Sequence, residues 1–156
     1  MKRRFWLILA VLLMLSCTFS ALAAKAGDTV KVKISVTANP QKAYTGSITI
    51  GYDKSALEFV EAQMDSKALT PLSASNNTFV LIDLTNPNGI STGVKATITF
   101  KIKSGAVPGK TYNVSASAEG FTDVDEKTVS VSVSGGSVKI DEAGCTNHKW
   151  DEGKVT

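Results

Sequence analysis

Few side chains in this sequence have the chemistry of a catalytic or metal site. The one histidine, His148, lies near the end of the 156 residues, so neither a serine-type triad nor a multi-histidine metal site is expected. Cys145 and His148 supply two ligands where zinc needs about four. Asp123, Asp125 and Glu126 lie close together but lack the full oxygen set of a calcium loop, so solvated turn acids are the preferred interpretation. We therefore expect a protein that is not an enzyme and holds no cofactor or metal.

The charge is concentrated at the N-terminus. The formal net charge of +3 equals the charge of Lys2, Arg3 and Arg4 alone, so the rest of the chain has as many basic as acidic residues. A balanced chain lacks the basic surface that neutralises phosphates, and nucleic-acid binding is not expected.

Residues 1–23 are predicted to be a signal peptide. Three cations precede the apolar run 5–15, which is too short for a membrane-spanning helix, and Ala21 and Ala23 supply an A-x-A pattern for cleavage after Ala23. Residues 24–26 offer a second site. Lipoprotein processing at Cys17 is a further alternative, although residues 14–16 match the required pattern poorly. We expect a secreted protein, extracellular or associated with the cell surface, with no membrane span after cleavage.

The elements that position the remaining polar groups are β-strands. Apolar residues alternate with polar ones at Val30, Val32, Ile34 and Val36, the period of a half-buried strand. The same pattern predicts strands near 48–52, 57–62, 78–84, 94–102, 112–118, 129–133 and 138–140, with Gly, Pro, Asn and Asp at the turns between them. This spacing indicates an all-β domain over residues 24–140, an antiparallel β-sandwich of about eight to nine strands. Residues 64–77 are predicted to cover one end of it.

Three stretches of this sandwich resemble the cohesin family of bacterial surface proteins. Gly27-Asp28-Thr29-Val30 resembles the family's early G-D-x-V strand, residues 50–60 its Y-D-x-x-x-L-E-hydrophobic segment, and residues 96–106 its A-T-I-x-F-K-V-K-x-G-A run. Residues 120–125 and 136–140 are similar to its last loop and closing strand. The resemblance implies a jelly-roll sandwich without catalytic residues that binds a dockerin, a small calcium-loaded helical module attached to polysaccharide-degrading enzymes. Polysaccharide binding is a looser implication.

The chain departs from the family at two places. With cleavage after Ala23 the mature chain would begin almost at Gly27, so we expect the family's first strand to be missing and the strand from Val30 to Val36 to lie nearer a sheet edge. On the family's dockerin-facing strand an Asn and an Asp stand two residues apart. The matching positions here are Thr45 and Ser47, which lack the charge-assisted hydrogen bonds of a carboxylate.

One strand face is the candidate for binding a partner. Thr45, Ser47 and Thr49 alternate outward from one strand, and Asp83, Thr85 and Asn86 are expected on or after the neighbouring strand. The alternative interpretation is an ordinary solvated sheet face. We predict a monomeric binding module for a dockerin-like protein that takes part in extracellular polysaccharide degradation.

Two other functions stay open. A carbohydrate-binding module needs exposed aromatic rings, for which only Tyr44, the candidate sugar contact, and Phe121 fall out of phase with the core. A structural spacer would bind neither ligand. Residues 141–156 are predicted to be a polar tail, or the start of a truncated Cys/His/Trp repeat of the kind that follows domains in some surface proteins.

Overall fold

The alternating segments form strands in the computed structural model, which describes residues 24–142. The signal-peptide prediction for residues 1–23, and nearly all of the predicted tail, lie outside the described residues. The strands are β1 (Thr29–Ala38), β2 (Thr45–Gly51), β3 (Leu57–Met64), β4 (Thr78–Ile82), β5 (Gly93–Ile102), β6 (Thr111–Thr122), β7 (Ser132–Ser134) and β8 (Gly136–Lys139). The described part of the chain contains no helix of the length and hydropathy that a membrane span requires.

The strands make two four-stranded sheets, ordered β3-β5-β1-β7 and β4-β2-β6-β8. Every pair between these strands is antiparallel, which confirms the predicted sandwich. β7 and β8 follow one another with only Gly135 between them, and the chain changes sheets there. An added Cβ on Gly135 would lie 1.9 Å from the carbonyl oxygen of Val114, so the crossing needs a glycine.

The core lies between the inward faces of the two sheets. Phe79, Phe100, Ile34 and Ile48 are fully buried. The ring of Tyr52 packs against Phe100 at a centroid distance of 4.8 Å. Burial of each large apolar side chain contributes about 1.5–3 kcal/mol, and this core holds the two sheets face to face.

The long connection between β3 and β4 lies along a sheet edge, which differs from the expectation that it covers one end. Leu69 N donates to Val80 O at 2.8 Å and Ile82 N to Lys67 O at 3.0 Å, so residues 67–69 extend the sheet beyond β4. Leu72 in the same connection is buried. These hydrogen bonds give partners to backbone groups of β4 that would have none if β4 were an uncovered edge strand.

The end of the chain departs from the predicted strand boundaries. The predicted strand at 129–133 is found as the shorter and later β7, because Val129 N donates to Phe121 O and ties the preceding residues to the end of β6. β1 lies between β5 and β7 in its sheet, but β7 pairs only with Ser35, Val36 and Ala38. The first half of β1 therefore pairs only with β5 among the described strands.

Candidate partner-binding face

The alternation of β2 sends its hydroxyl residues outward. Gly46, Ile48 and Ile50 are buried, whereas Thr45, Ser47 and Thr49 are half-buried on the opposite side of the strand. They are only half-exposed because β2 is paired on both sides, by β4 and by β6. The structure thus brings together the three β2 residues predicted to share one face.

The neighbouring strands complete this surface, which we call the β2 face. It consists of Thr45, Ser47 and Thr49 on β2, Thr78, Val80 and Ile82 on β4, and Ser115, Ser117 and Glu119 on β6. Nearly all these side chains are short, so the surface has low relief, and Glu119 is the only charged residue among them. The hydroxyls of Thr49 and Thr78 share a hydrogen bond of 3.0 Å. Such a face can offer hydroxyl hydrogen bonds and van der Waals contact to a complementary surface.

Sequence reasoning missed the β6 contribution to this face. Ser47 lies opposite Glu119, and Thr49 lies opposite Ser117. The alternation of β6 was visible in the sequence, but nothing local specifies which distant strand pairs with β2. Pairing is decided by packing across the whole sandwich.

Asp83 follows the neighbouring strand β4, as expected, but its side chain is buried and is not on the open surface. It is 6% exposed, and its Oδ1 accepts hydrogen bonds from Lys67 Nζ (3.0 Å), Thr85 Oγ1 (2.8 Å) and the backbone N–H groups of Thr85 and Asn86. The hydrogen bonds from Lys67 and then Thr85 lower the pKa of Asp83 to about 2, outweighing the effect of burial. Asp83 therefore shapes the turn after β4.

The turn shaped by Asp83 lies at the Thr45 end of the β2 face. Thr45 pairs with Ile82, the last residue of β4, so the turn begins one residue beyond this pair. Thr85 is exposed, and Asn86 is half-buried with its Oδ1 accepting from Asn88 N at 3.0 Å. Thr85 and Asn86 are thus placed next to the hydroxyl row, at its margin.

Tyr44 stabilises the same turn through two hydrogen bonds. Its hydroxyl donates to Pro87 O at 2.8 Å, and its carbonyl oxygen accepts from Asp83 N at 2.9 Å. The ring is half-buried. Its role as a sugar contact stays a prediction.

Phe121 is buried, contrary to the expectation that it is free. It is 2% exposed and lies beneath Gly46, where an added Cβ would lie 2.3 Å from its Cγ. A β-bulge turns it inward: Thr45 pairs with Thr122 but Ser47 with Glu119, so β6 has one extra residue there, and Gly120 takes a positive φ of 60°. Residues 24–142 therefore present no strip of exposed aromatic rings for sugar stacking.

In the acidic turn after β6, a carboxylate is used to hydrogen-bond the backbone of the turn itself. Asp123 Oδ1 accepts from Asp125 N and Lys127 N, both at 2.9 Å. Within residues 24–142 no group of three or more His, Cys, Asp or Glu side chains is placed to hold a metal ion. Cys145 and His148 lie outside the described residues.

The described residues thus form a two-sheet sandwich in which the β2 face has low relief and is rich in hydroxyl groups. A sequence model of the cohesin domain matches residues 16–140, most of the chain, and the protein belongs to the cohesin family. Members of this family are protein-interaction modules without catalytic activity. A search of curated proteins found no match.

Solved structures support this assignment. The sixth cohesin of scaffoldin B from Acetivibrio cellulolyticus, solved in complex with a Cel5 dockerin, is 25% identical with a TM-score of 0.58, and the match covers 76% of this chain and 93% of that one. The OlpA cohesin of Clostridium thermocellum, in complex with dockerin Doc918, is 18% identical with a TM-score of 0.57 over 76% and 92% of the two chains. A non-cellulosomal cohesin of the archaeon Archaeoglobus fulgidus is 20% identical with a TM-score of 0.55 over 74% and 83%.

Proposed function

We propose that this cohesin domain is an exported module that captures a dockerin-like protein on the β2 face and thereby takes part in extracellular polysaccharide degradation. The observation that carries the proposal is the β2 face itself: a flat, fully paired, hydroxyl-lined sheet surface in a fold whose solved neighbours include dockerin complexes. Binding to such a face requires no rearrangement of the backbone, because both neighbours of β2 hold it in place.

The chemistry of the face defines how the partner is recognised. Thr45 and Ser47 stand where the family's dockerin-facing strand carries an amide and a carboxylate. Neutral hydroxyl groups form weaker hydrogen bonds than ionised ones, by about a factor of two. We therefore propose a complex stabilised by shape and hydroxyl contacts, with Glu119 as its acidic contribution from β6.

Binding to a calcium-loaded dockerin module from the same genome, measured by calorimetry, tests the proposal. Ser47→Arg places a long charged side chain in the centre of the β2 face and should weaken affinity at least about tenfold, or about 1.4 kcal/mol. Thr97→Arg is the matched control, because Thr97 is also half-buried on a strand paired on both sides, but on the outside of the other sheet. It should leave affinity within about twofold.

Two outcomes would refute the β2 face as the site. One is an equal loss of affinity in both variants, and the other is an unchanged affinity in Ser47→Arg. If the wild-type protein binds no dockerin, retardation in a gel containing a soluble glucan, lost in Tyr44→Ala, would favour the carbohydrate-binding alternative. Absence of both activities would favour a structural spacer.

A further inference from the structure

Asn88 is the one asparagine of the sequence that is followed by a glycine. It lies in the connection between β4 and β5, and its side chain is exposed. The backbone nitrogen of the next residue can attack the side-chain amide carbon of an asparagine, and glycine hinders this attack least because it has no side chain. Asn88 therefore has the covalent neighbour that favours spontaneous deamidation.

The reaction replaces the side-chain amide with an acid and needs only water. The bond between Gly89 N and Asn88 Cγ forms, the bond from Cγ to the side-chain nitrogen breaks, and ammonia leaves a five-membered succinimide. Water then opens this ring at either carbonyl, which gives aspartate or isoaspartate. In isoaspartate the main chain passes through the β carbon, so the backbone between residues 88 and 89 is longer by one methylene group.

The closed turn holds the attacking nitrogen away from Asn88. Gly89 N donates to Asn86 O at 2.9 Å, which closes a β-turn with proline at its second and glycine at its fourth position. Gly89 is buried, and an added Cβ there would overlap the carbonyl oxygen of Ala43, so its backbone is packed against the β1–β2 connection. Attack on Asn88 therefore requires the turn to open first.

Hydrogen bonds to the β1–β2 connection keep the turn closed. The Tyr44 hydroxyl donates to Pro87 O at 2.8 Å, and Ile90 N donates to Ala43 O at 2.8 Å. Asn39 Nδ2 donates to Ile90 O at 2.9 Å, and Ile90 itself is 2% exposed. The two ends of the turn are thus fixed, and a backbone lengthened by one methylene group does not fit between them.

We propose that Asn88 is a site of spontaneous deamidation, that the closed turn protects it, and that the isoaspartate product prevents the turn from closing again. Conversion at Asn88 then reports the local opening of the turn. This modification site is independent of dockerin binding.

Peptide mapping by mass spectrometry, over a time course at mildly alkaline pH, tests the protection. Conversion of Asn88 in the folded protein should be at least about tenfold slower than in the same chain unfolded in guanidinium chloride, because several hydrogen bonds must break before the nitrogen is free. Asn113 is the internal control. It is also exposed, but the β-branched Val114 follows it, and it should stay unconverted in both states while Asn88 reacts.

A pair of tyrosine variants tests the route of the reaction. Tyr44→Phe removes the hydrogen bond to Pro87 and should speed conversion in the folded protein by about two- to tenfold. Tyr112→Phe is the matched control, because the Tyr112 hydroxyl accepts from Val107 N at 2.9 Å in a different connection. It should leave the rate within about twofold. In the isolated isoaspartate form, hydrogen exchange at Ile90 N–H should be faster than in the unmodified protein.

Four results would overturn the proposal. Equal rates in the folded and the unfolded chain would show that the turn gives no protection, and an unreactive Asn88 in the unfolded chain would show that it is no deamidation site. Equal acceleration by both tyrosine variants would assign the reaction to unfolding of the whole domain. Unchanged exchange at Ile90 in the isoaspartate form would show that the lengthened backbone still closes the turn.

Discussion

Replacing Gly46 with alanine should destabilise the domain through a single contact. The added Cβ would lie 2.3 to 2.6 Å from three atoms of the Phe121 ring, whereas carbon atoms in good contact are about 3.5–4.0 Å apart. The ring, which is 2% exposed, would have to move by about 1 Å into a filled core. Overpacking of this kind costs about 1–3 kcal/mol, and we expect the upper end of that range.

Urea unfolding followed by far-ultraviolet circular dichroism measures this loss of free energy, and thermal unfolding measures it as a shift in melting temperature. At about 4 °C per kcal/mol for a domain of this size, the melting temperature of Gly46→Ala should fall by about 12 °C. Gly51→Ala is the matched control on the same strand. Its Cβ would meet only the rotatable Ser115 hydroxyl, at 2.6 Å, so stability should stay within about 0.5 kcal/mol.

A second substitution tests whether Phe121 is the cause. In a Phe121→Leu background, the smaller side chain gives the new methyl group room, and the cost of Gly46→Ala should fall by more than half. An unchanged cost in that background, or a loss below about 0.5 kcal/mol for Gly46→Ala alone, would contradict the packing described here.

Three further perturbations have defined outcomes. Hydrogen bonds from Lys67 and other donors hold the pKa of Asp83 at about 2, below its ordinary value of about 3.9. Its stabilising contribution is therefore complete above about pH 4 and is lost as the pH falls towards 2, so Asp83→Asn should flatten the acid limb of a stability–pH profile. Lys95→Met should cost about 1–3 kcal/mol in urea unfolding, because buried Lys95 bonds a carboxylate and a hydroxyl. Dockerin affinity should weaken only slightly from low to high salt, because Thr45 and Ser47 are uncharged and Glu119 is the one charged residue of the β2 face.

The strand pattern was predictable because it is local. Side chains alternate with a period of two wherever one strand face is buried, so Val30, Val32, Ile34 and Val36 identify β1 and its inward side without knowledge of its neighbours. The resemblance to cohesins added the jelly-roll architecture, which the family match and the solved structures confirm.

The wrong predictions concern residues where the backbone departs from the two-residue alternation of a regular strand. Simple alternation places Phe121 on the same side as Glu119, facing solvent. The bulge at Gly120 inserts one residue and reverses the side, so that Phe121 enters the core. The sequence did contain one signal of this bulge: Gly120 interrupts the alternating pattern of β6 directly before Phe121. The predicted strand 78–84 ends early, at Ile82, because the buried Asp83 carboxylate accepts hydrogen bonds from the turn that follows.

The pairing of the strands around the β2 face separates binding from folding in its test. β2 is paired on both sides, and residues 67–69 hydrogen-bond to the other side of β4, so a partner on this face contacts side chains and not unpaired backbone groups. Ser47→Arg should therefore lower dockerin affinity while the stability of the domain in urea unfolding stays within about 0.5 kcal/mol of the wild type. An equal loss of stability and affinity would show that the substitution acts through the fold and not through the β2 face.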